Sequence, residues 1–222
     1  MSSAAFFDLD RTLWACSGEK AFAVHQFRQG KLGITQVGGV IYQYLLYELG
    51  LIDNIDILKR RVLRALFAGE AVAPYVETYT AHFHQHLSQS LFPKMLDCVR
   101  SHQSAGDKVV IVSAALDFIV SPVAELLQTD DWFASRLEVS NHLFSGEVLG
   151  SIPYGQAKAS IVKDYADKHG LDLAQCHAYG DHWEDRYMLA AVGHPVAVNP
   201  GRSLAQLAQR QQWLTLDLPS PI

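Results

Sequence analysis

The chain has 222 residues, 49% hydrophobic and 18% charged, a composition that supports a sizeable folded core and argues against a disordered chain. Its formal net charge of -5 gives no sign of a nucleic-acid-binding surface, and the basic cluster at residues 59–64 is most simply a solvated helix face. Three widely spaced cysteines, Cys16, Cys98 and Cys176, argue against a disulfide framework or a CxxC metal site and fit a reducing cytoplasm.

No signal peptide is expected, because Met1 is followed by a few small residues and then by an acidic pair, without a basic region or a long apolar run. The most membrane-like stretch, residues 34–52, contains Glu48, several polar side chains and a glycine pair. This composition predicts a buried or amphipathic helix rather than a membrane span. The expected location is therefore the cytoplasm.

The predicted elements begin with a buried strand at residues 4–8 and an all-helical segment from about 17 to 90. Pro93 then opens a helix that stops at Gly106, and the apolar run at 109–112 predicts a buried parallel strand. The remaining predicted elements are a helix at 117–128, an antiparallel excursion at 136–150, a helix at 156–169, a strand ending at Gly180, a helix at 184–191 and a strand at 195–199.

Strands that alternate with helices predict right-handed crossovers and a parallel sheet. Ligands of such sheets bind beyond the carboxyl ends of the strands. Four polar residues fall at those ends: Asp8 and Asp10 after the first strand, Ser113 after the second and Asp181 after a later one. These separate stretches of chain are therefore expected to converge on one edge.

Clustered carboxylates at that edge require compensation. Two carboxylates about 4 Å apart repel by ~4 kcal/mol at an effective dielectric of 20, so Asp8, Asp10 and Asp181 would not stay ionised together without a cation. Carboxylate oxygens without histidine or cysteine favour a hard ion, and a sparse ligand set that leaves room for water and substrate favours Mg²⁺ over Ca²⁺. Phosphate is the natural substrate group for such a site.

Four stretches in order, "DLDRT", "VVIVSA", "GQAKAS" and "YGDHWED", resemble the four motifs of the haloacid dehalogenase superfamily of phosphohydrolases. The helical insert, "VNPG" and Trp213 resemble its phosphoserine-phosphatase-like branch, subfamily IB. The resemblance implies a Rossmann-like α/β core with helices on both faces, formed by residues 1–14 and 90–222. An all-helical cap domain, residues 15–89, would be inserted into it.

The resemblance implies that Asp8 is the nucleophile that forms an aspartyl-phosphate. Its ordinary pKa of ~3.9 would keep the carboxylate ionised. Asp10 would be the general acid and base, with a pKa raised relative to that of Asp8. Mg²⁺ would be bound by Asp8, by the backbone carbonyl of Asp10 and by Asp181. Thr12 would steady the turn, and its hydroxyl could bond the nearby carboxylates.

The resemblance also implies how the phosphate is held. The Ser113 hydroxyl and the backbone N–H groups of Ala114 and Ala115 would donate to phosphoryl oxygens, and Lys158 would offset the charge shared by Asp8 and the phosphate. Asp185 would hold a metal-bound water or orient Lys158.

Two further positions are candidates for substrate specificity. Arg11 stands where small residues are common in the family and could narrow the mouth of the site or meet an anionic substrate. Glu19 could bind a substrate ammonium, while Arg60, Arg61 or Arg64 could bind a carboxylate, as phosphoserine would require.

Each of these residues has a plainer interpretation on its own. Asp8 and Asp10 could belong to a helix cap and a turn, and Ser113 could be a turn residue. Lys158 could be an ordinary surface lysine. Together, however, these interpretations do not explain why the polar residues cluster at the ends of strands. His82 and His86 have a spacing that can bind zinc, yet no third ligand is evident, so we interpret them as part of a surface helix.

The sequence thus predicts a Mg²⁺-dependent phosphomonoesterase that acts on a small phosphorylated metabolite, a phosphoserine-like amino-alcohol phosphate first. Monomer and homodimer are both expected possibilities, with no nucleic-acid partner. Three alternatives stay open: a phosphotransferase or phosphomutase, a phosphate-binding regulator without turnover, and a lipid phosphatase that uses residues 34–52 and the basic cluster.

Overall fold

A computed structural model describes residues 3–49 and 54–219. Seven strands form one sheet in the order β4-β3-β2-β1-β5-β6-β7. Every pairing is parallel except that of β3 with β4. The strands are β1 Ala4–Phe7, β2 Lys108–Leu116, β3 Asp131–Ser140, β4 Leu143–Leu149, β5 His177–Gly180, β6 His194–Val198 and β7 Leu214–Leu216.

Nine α-helices are described in this part of the chain. They are α1 Gly18–Arg28, α2 Ile34–Glu48, α3 Ile55–Phe67, α4 Val72–His82, α5 Pro93–Ala105, α6 Asp117–Leu127, α7 Gln156–His169, α8 Arg186–Leu189 and α9 Arg202–Gln211. The first five lie between β1 and β2, and the first four of these form the helical insert. The predicted α/β class with a helical insert is therefore confirmed, whereas the division at residues 14/15 and 89/90 stays a prediction.

The sheet separates two hydrophobic clusters because strand side chains alternate between its faces. Phe7 packs in one cluster with residues of α5 and α6, and Phe6 packs in the other with residues of α7, α8 and α9. Helices therefore cover both faces, and β1 runs buried through the middle. Since β2 and β5 flank β1 in parallel, their carboxyl ends open beside Asp8.

The insert is attached to the antiparallel hairpin of β3 and β4. Arg60 of α3 donates to the carbonyls of Val148 and Gly150, and Gly69 N–H donates to the Phe144 carbonyl at 2.8 Å. The insert therefore packs over the same end of the sheet as Asp8.

Local boundaries differ from the predicted ones where tertiary contacts intervene. β2 extends to Leu116 rather than ending near 112, because β3 pairs alongside it as far as that residue. The segment after Asp181 begins with a single 3-10 turn, Trp183–Asp185, before the short α8. The predicted helix at 34–52 is present as α2, and residues 50–52 lie outside the described residues.

Candidate active site

The nucleophile candidate, Asp8, is the first residue beyond β1. Its backbone N–H donates to the Tyr179 carbonyl at 2.9 Å, which fixes the residue against β5. Its side chain is buried. A buried carboxylate at the end of the central strand needs a positive partner.

Lys158 supplies that partner from the first turn of α7. Its ammonium donates to Asp8 Oδ1 at 2.5 Å and to Asp185 Oδ1 at 2.6 Å. All three residues are buried. Of the two roles expected for Asp185, this geometry matches the one in which it orients Lys158.

Asp8, Asp181 and Asp185 form an acidic cluster in which one carboxylate oxygen of each lies within 4.8 Å of the others. Lys158 is the buried cation among them, and Arg11 approaches Asp181 from the exposed side at 3.4 Å. Such an excess of buried carboxyl groups fits a hard divalent cation, which oxygen ligands favour.

The protein's own groups raise the carboxyl pKa values in this cluster. Burial, followed by the charges of Asp185 and Asp181, raises the pKa of Asp8 to about 8 even though Lys158 opposes the change. Burial and Asp185 likewise raise the pKa of Asp181 to about 7. In the protein by itself, burial outweighs the Lys158 ammonium, so the ordinary acidity expected of Asp8 would require a bound cation. Burial also disfavours the Lys158 ammonium, but Asp185 and Asp8 outweigh it and raise its pKa.

Gly180 allows Asp185 to reach this cluster. A Cβ atom added at Gly180 would lie 2.6 Å from the Cβ of Asp185 and 2.8 Å from its Cγ. Neither atom can move away cheaply, because both lie close to the backbone. The glycine is therefore required by close packing.

Asp10 faces the insert instead of the acidic cluster. Its carboxylate accepts hydrogen bonds from the Ser17 hydroxyl at 3.1 Å and from Gly18 N–H at 3.0 Å. Burial raises the pKa of Asp10, opposed by the Gly18 hydrogen bond and supported by the charge of Glu19. The carboxyl group therefore sits at the junction between β1 and α1, consistent with a metal contact through its backbone carbonyl alone.

The turn after β1 is tight and strained. Thr12, Leu13 and Trp14 all donate their N–H groups to the Leu9 carbonyl, and Arg11 adopts φ +64°. Thr12 is fully buried, yet its hydroxyl has no hydrogen-bond partner among the described residues. The expected bond from Thr12 to the carboxylates is therefore absent from this structure.

The phosphate-binding candidates lie on β2, beside β1. Ser113 is buried, and its hydroxyl accepts a hydrogen bond from Ala115 N–H at 3.1 Å. The Ala114 carbonyl accepts from Ser135 at 2.6 Å and from the Lys59 ammonium. The Ala115 N–H, expected to bind phosphate, is therefore already committed to Ser113.

Lys59 of α3 is a site residue whose contacts the sequence does not predict. It lies 3.1 Å from Glu19 as well as bonding Ala114, so it connects α3, α1 and β2. The sequence feature that could have indicated Lys59 is its position in the basic run at 59–64. Arg60 pairs with Asp56 at 2.7 Å and Arg64 pairs with Glu147, while Arg61 is exposed.

A second cluster of possible metal ligands, His102, Asp107 and His177, lies at the opposite end of the sheet. Both ring nitrogens of His102 are engaged, Nδ1 with Asp107 at 2.7 Å and Nε2 with the Tyr179 hydroxyl at 2.8 Å. These bonds account for His102 and Asp107 as structural support beneath β1 and β5.

A family model of haloacid dehalogenase-like hydrolases matches residues 5–190. The chain belongs to this family. The match covers the elements that carry Asp8, Lys158, Asp181 and Asp185, and it confirms the resemblance drawn from the four motifs.

Relatives extend over nearly the whole chain. A probable phosphatase of Mycobacterium tuberculosis is 34% identical over 99% of this chain and 77% of its own length. A phosphoserine phosphatase of the same organism is 28% identical over 96% and 70%, and a histidinol-phosphatase of Neisseria meningitidis is 26% identical over 98% and 99%. The expectation that this family member is a phosphatase is confirmed.

Solved structures share the fold. A Bordetella pertussis protein of unknown function gives a TM-score of 0.85 at 24% identity and covers 98% of this chain and 99% of its own. A substrate-bound phosphoserine phosphatase gives 0.72 at 20% identity, with 97% and 93% covered. Among the described residues of our chain, no helix is long and apolar enough to cross a membrane.

Proposed function

We propose that this family member is a Mg²⁺-dependent phosphomonoester hydrolase that works through an aspartyl-phosphate on Asp8. The observation that carries the proposal is the Lys158 ammonium, held between Asp8 at 2.5 Å and Asp185 at 2.6 Å inside a buried acidic cluster. A fixed cation beside a nucleophilic carboxylate is what an incoming phosphoryl group, rich in negative charge, requires.

The first step is attack by an Asp8 carboxylate oxygen on phosphorus. The bond between phosphorus and the ester oxygen breaks, and Asp10 gives its proton to the departing alkoxide. Burial raises the pKa of Asp10, which favours the protonated form needed for this donation. Lys158 neutralises charge on Asp8 and the phosphoryl oxygens during the attack.

The second step releases phosphate. Water attacks the phosphorus of the aspartyl-phosphate, Asp10 takes a proton from that water, and the bond to Asp8 breaks to regenerate the carboxylate. Mg²⁺, bound by Asp8, Asp181 and the Asp10 carbonyl, would supply positive charge to the carboxylates and to the phosphoryl oxygens. Ser113 and the Ala114 N–H would bind the phosphoryl group.

Small amino-alcohol phosphates are one substrate class to test. Two of the relatives are named for phosphoserine and for histidinol phosphate, and both compounds carry an amine. Glu19, beside the Asp10 junction, is paired with Lys59 at 3.1 Å, so that amine would have to displace the Lys59 ammonium. A cytoplasmic location, and a monomer or homodimer, complete the proposal.

The test is release of inorganic phosphate from a panel of phosphomonoesters, with Mg²⁺ or EDTA, by wild type, Asp8→Asn and Asp164→Asn. Asp164 is exposed on α7 and serves as the matched control. We expect release that requires metal, survives in the control and is lost in Asp8→Asn. Rapid acid quenching with labelled substrate should trap label on the peptide that contains Asp8. Full activity of Asp8→Asn would refute the proposal.

Product analysis with an added acceptor alcohol separates hydrolysis from transfer. A hydrolase yields inorganic phosphate in the same amount whether or not the acceptor is present. Phosphorylated acceptor in place of inorganic phosphate would instead indicate a phosphotransferase. Phosphate binding without turnover on any substrate would indicate a regulator.

A further inference from the structure

A cavity of about 440 Å³ lies between the insert and the core, next to the proposed catalytic groups. Its lining includes Ser17, whose hydroxyl donates to the Asp10 carboxylate at 3.1 Å, and Ala114, two residues before the end of β2. The cavity therefore begins where the alcohol part of a phosphate ester would leave Asp10. Its volume falls in the range of small-molecule pockets, roughly 300–1,000 Å³.

The walls of this cavity are mainly apolar. Phe22 of α1 and Leu63 and Phe67 of α3 line the side of the insert, and Leu116 and Ile119 line the side of the core. All five are buried. Half-buried apolar side chains complete the lining. An alcohol group that covers their exposed area releases water from it, which favours binding in proportion to the apolar area covered.

Charges on the cavity wall are largely committed to one another. Lys59 pairs with Glu19 at 3.1 Å and donates to the Ala114 carbonyl, and Asp56 accepts a hydrogen bond from Arg60, which lies outside the lining. Lys20 also lines the cavity, but its side chain is exposed at the rim. The ammonium and carboxylate of serine would have to compete with the Glu19–Lys59 pair and would leave the apolar walls uncovered.

We propose, on the basis of the proposed phosphatase function, that the preferred substrate is a phosphomonoester of a primary alcohol with a bulky apolar group. That group, an aromatic ring or an alkyl chain, occupies the cavity. Phosphoserine is then a poorer substrate than an apolar ester of equal leaving-group chemistry. The specificity comes from the faces of α1 and α3 that meet β2 and α6.

The experiment compares kcat/KM for ethyl phosphate, phosphoserine, 2-phenylethyl phosphate and hexyl phosphate in the presence of Mg²⁺. All are esters of primary alcohols, so they present similar ester oxygens to Asp10. We expect the two bulky esters to exceed ethyl phosphate and phosphoserine by roughly 10- to 100-fold, the range for burying a ring or several methylenes. The gain should appear mainly as a lower KM.

Ala23→Trp fills the cavity from α1, because Ala23 is part of its lining. It should reduce the ratio of kcat/KM for 2-phenylethyl over ethyl phosphate toward one, and the ratio is independent of the fraction of folded enzyme. Val24→Trp is the matched control, since Val24 is half exposed on the next position of α1 and outside the lining. The control should keep the wild-type ratio.

The outcomes separate the two proposals. Equal rates for ethyl and 2-phenylethyl phosphate, or preference for phosphoserine, would overturn the apolar pocket and leave the phosphatase intact. An unchanged ratio in Ala23→Trp would also overturn it. Absence of phosphate release from every ester by folded protein with Mg²⁺ would overturn the proposed function and this inference with it.

Discussion

The charge of Asp181 lowers the stability of the folded protein, but the proposed metal site requires it. Its carboxyl lies in the acidic cluster, and burial and Asp185 raise its pKa to about 7. Above that pH the Asp181 carboxylate is charged in both states. Burying this charge in the folded protein costs free energy, whereas in the unfolded chain water solvates it. Its stability contribution therefore improves as pH falls through 7.

We predict that Asp181→Asn raises the melting temperature in EDTA at pH 8 and abolishes most of the rise that Mg²⁺ produces in wild type. A relief of about 1 kcal/mol corresponds to roughly 2–4 °C for a chain of this size. Thermal unfolding with EDTA or Mg²⁺ measures both effects, with Asp164→Asn as control. An undiminished Mg²⁺ effect in Asp181→Asn would remove this residue from the metal site.

Gly180 acts through the position of Asp185. Gly180→Ala would place a methyl group 2.6 Å from the Asp185 Cβ, displacing the carboxylate that holds Lys158. We predict a fall in kcat of about 100-fold, the cost of a misplacement near 1 Å, with a smaller change in KM. Steady-state kinetics provide the measurement.

The matched control for that variant is Gly201→Ala, because an added Cβ there meets nothing within 4 Å. It should retain wild-type kinetics. A Gly180→Ala enzyme with an unchanged kcat would mean that Lys158 does not depend on Asp185 for its position.

At the scale of elements, α1 and α4 meet through histidines. The rings of His25 and His82 stack with centroids 4.0 Å apart, and His86 follows at 5.2 Å from His82. Burial, then the charges of His25 and His86, lower the pKa of His82 to about 4. The spacing of His82 and His86 in the sequence did not predict that His25, from another helix, packs against them.

This packing predicts acid sensitivity of the insert. The unfolded chain binds a proton at His82 near pH 6.5 and the folded chain only near 4, so the unfolded state gains protons first and stability is lost as pH falls from about 6.5 to 4. His82→Gln should reduce the loss of stability between pH 7 and 5, measured by urea unfolding. The exposed neighbour His84→Gln should leave it unchanged, and equal losses in wild type and His82→Gln would contradict the assignment.

At the scale of the whole molecule, Arg60 joins the insert to the hairpin of β3 and β4. Its guanidinium donates to Val148 at 2.9 Å and to Gly150 at 2.6 Å. We predict that Arg60→Gln increases amide hydrogen exchange in α3 and raises KM several-fold, because a loosened insert covers the site less of the time.

Arg61→Gln is the matched control for the change at Arg60, since it removes the same charge from an exposed position one residue along α3. It should affect neither exchange nor KM. Faster exchange in both variants would assign the effect to net charge instead of to the hairpin contacts.

The sequence alone determined the alternation of strands and helices from β1 to β6 and the carboxylates that follow β1 and β5, whereas β7 was not predicted and β2 continues past Ser113. Apolar runs, Pro93 and Gly106 act over a few residues, so they mark elements without knowledge of distant contacts. Asp8 and Asp10 after β1, and the later Gly180-Asp181 pair, are recognisable in the sequence because each follows directly on an apolar strand. Residues 156–169 were predicted as a helix, which is α7 as observed.

Only the tertiary structure decided which groups meet. Lys158 reaches Asp8 across 150 positions of sequence, Lys59 meets Glu19 across two helices, and the apolar cavity is formed by walls from the insert and the core. Thr12 has the residue type expected for a bond to the carboxylates, yet the turn leaves its hydroxyl without one. Such contacts depend on how separate elements pack, because the free energy of a buried charge or an apolar wall depends on every neighbour that surrounds it.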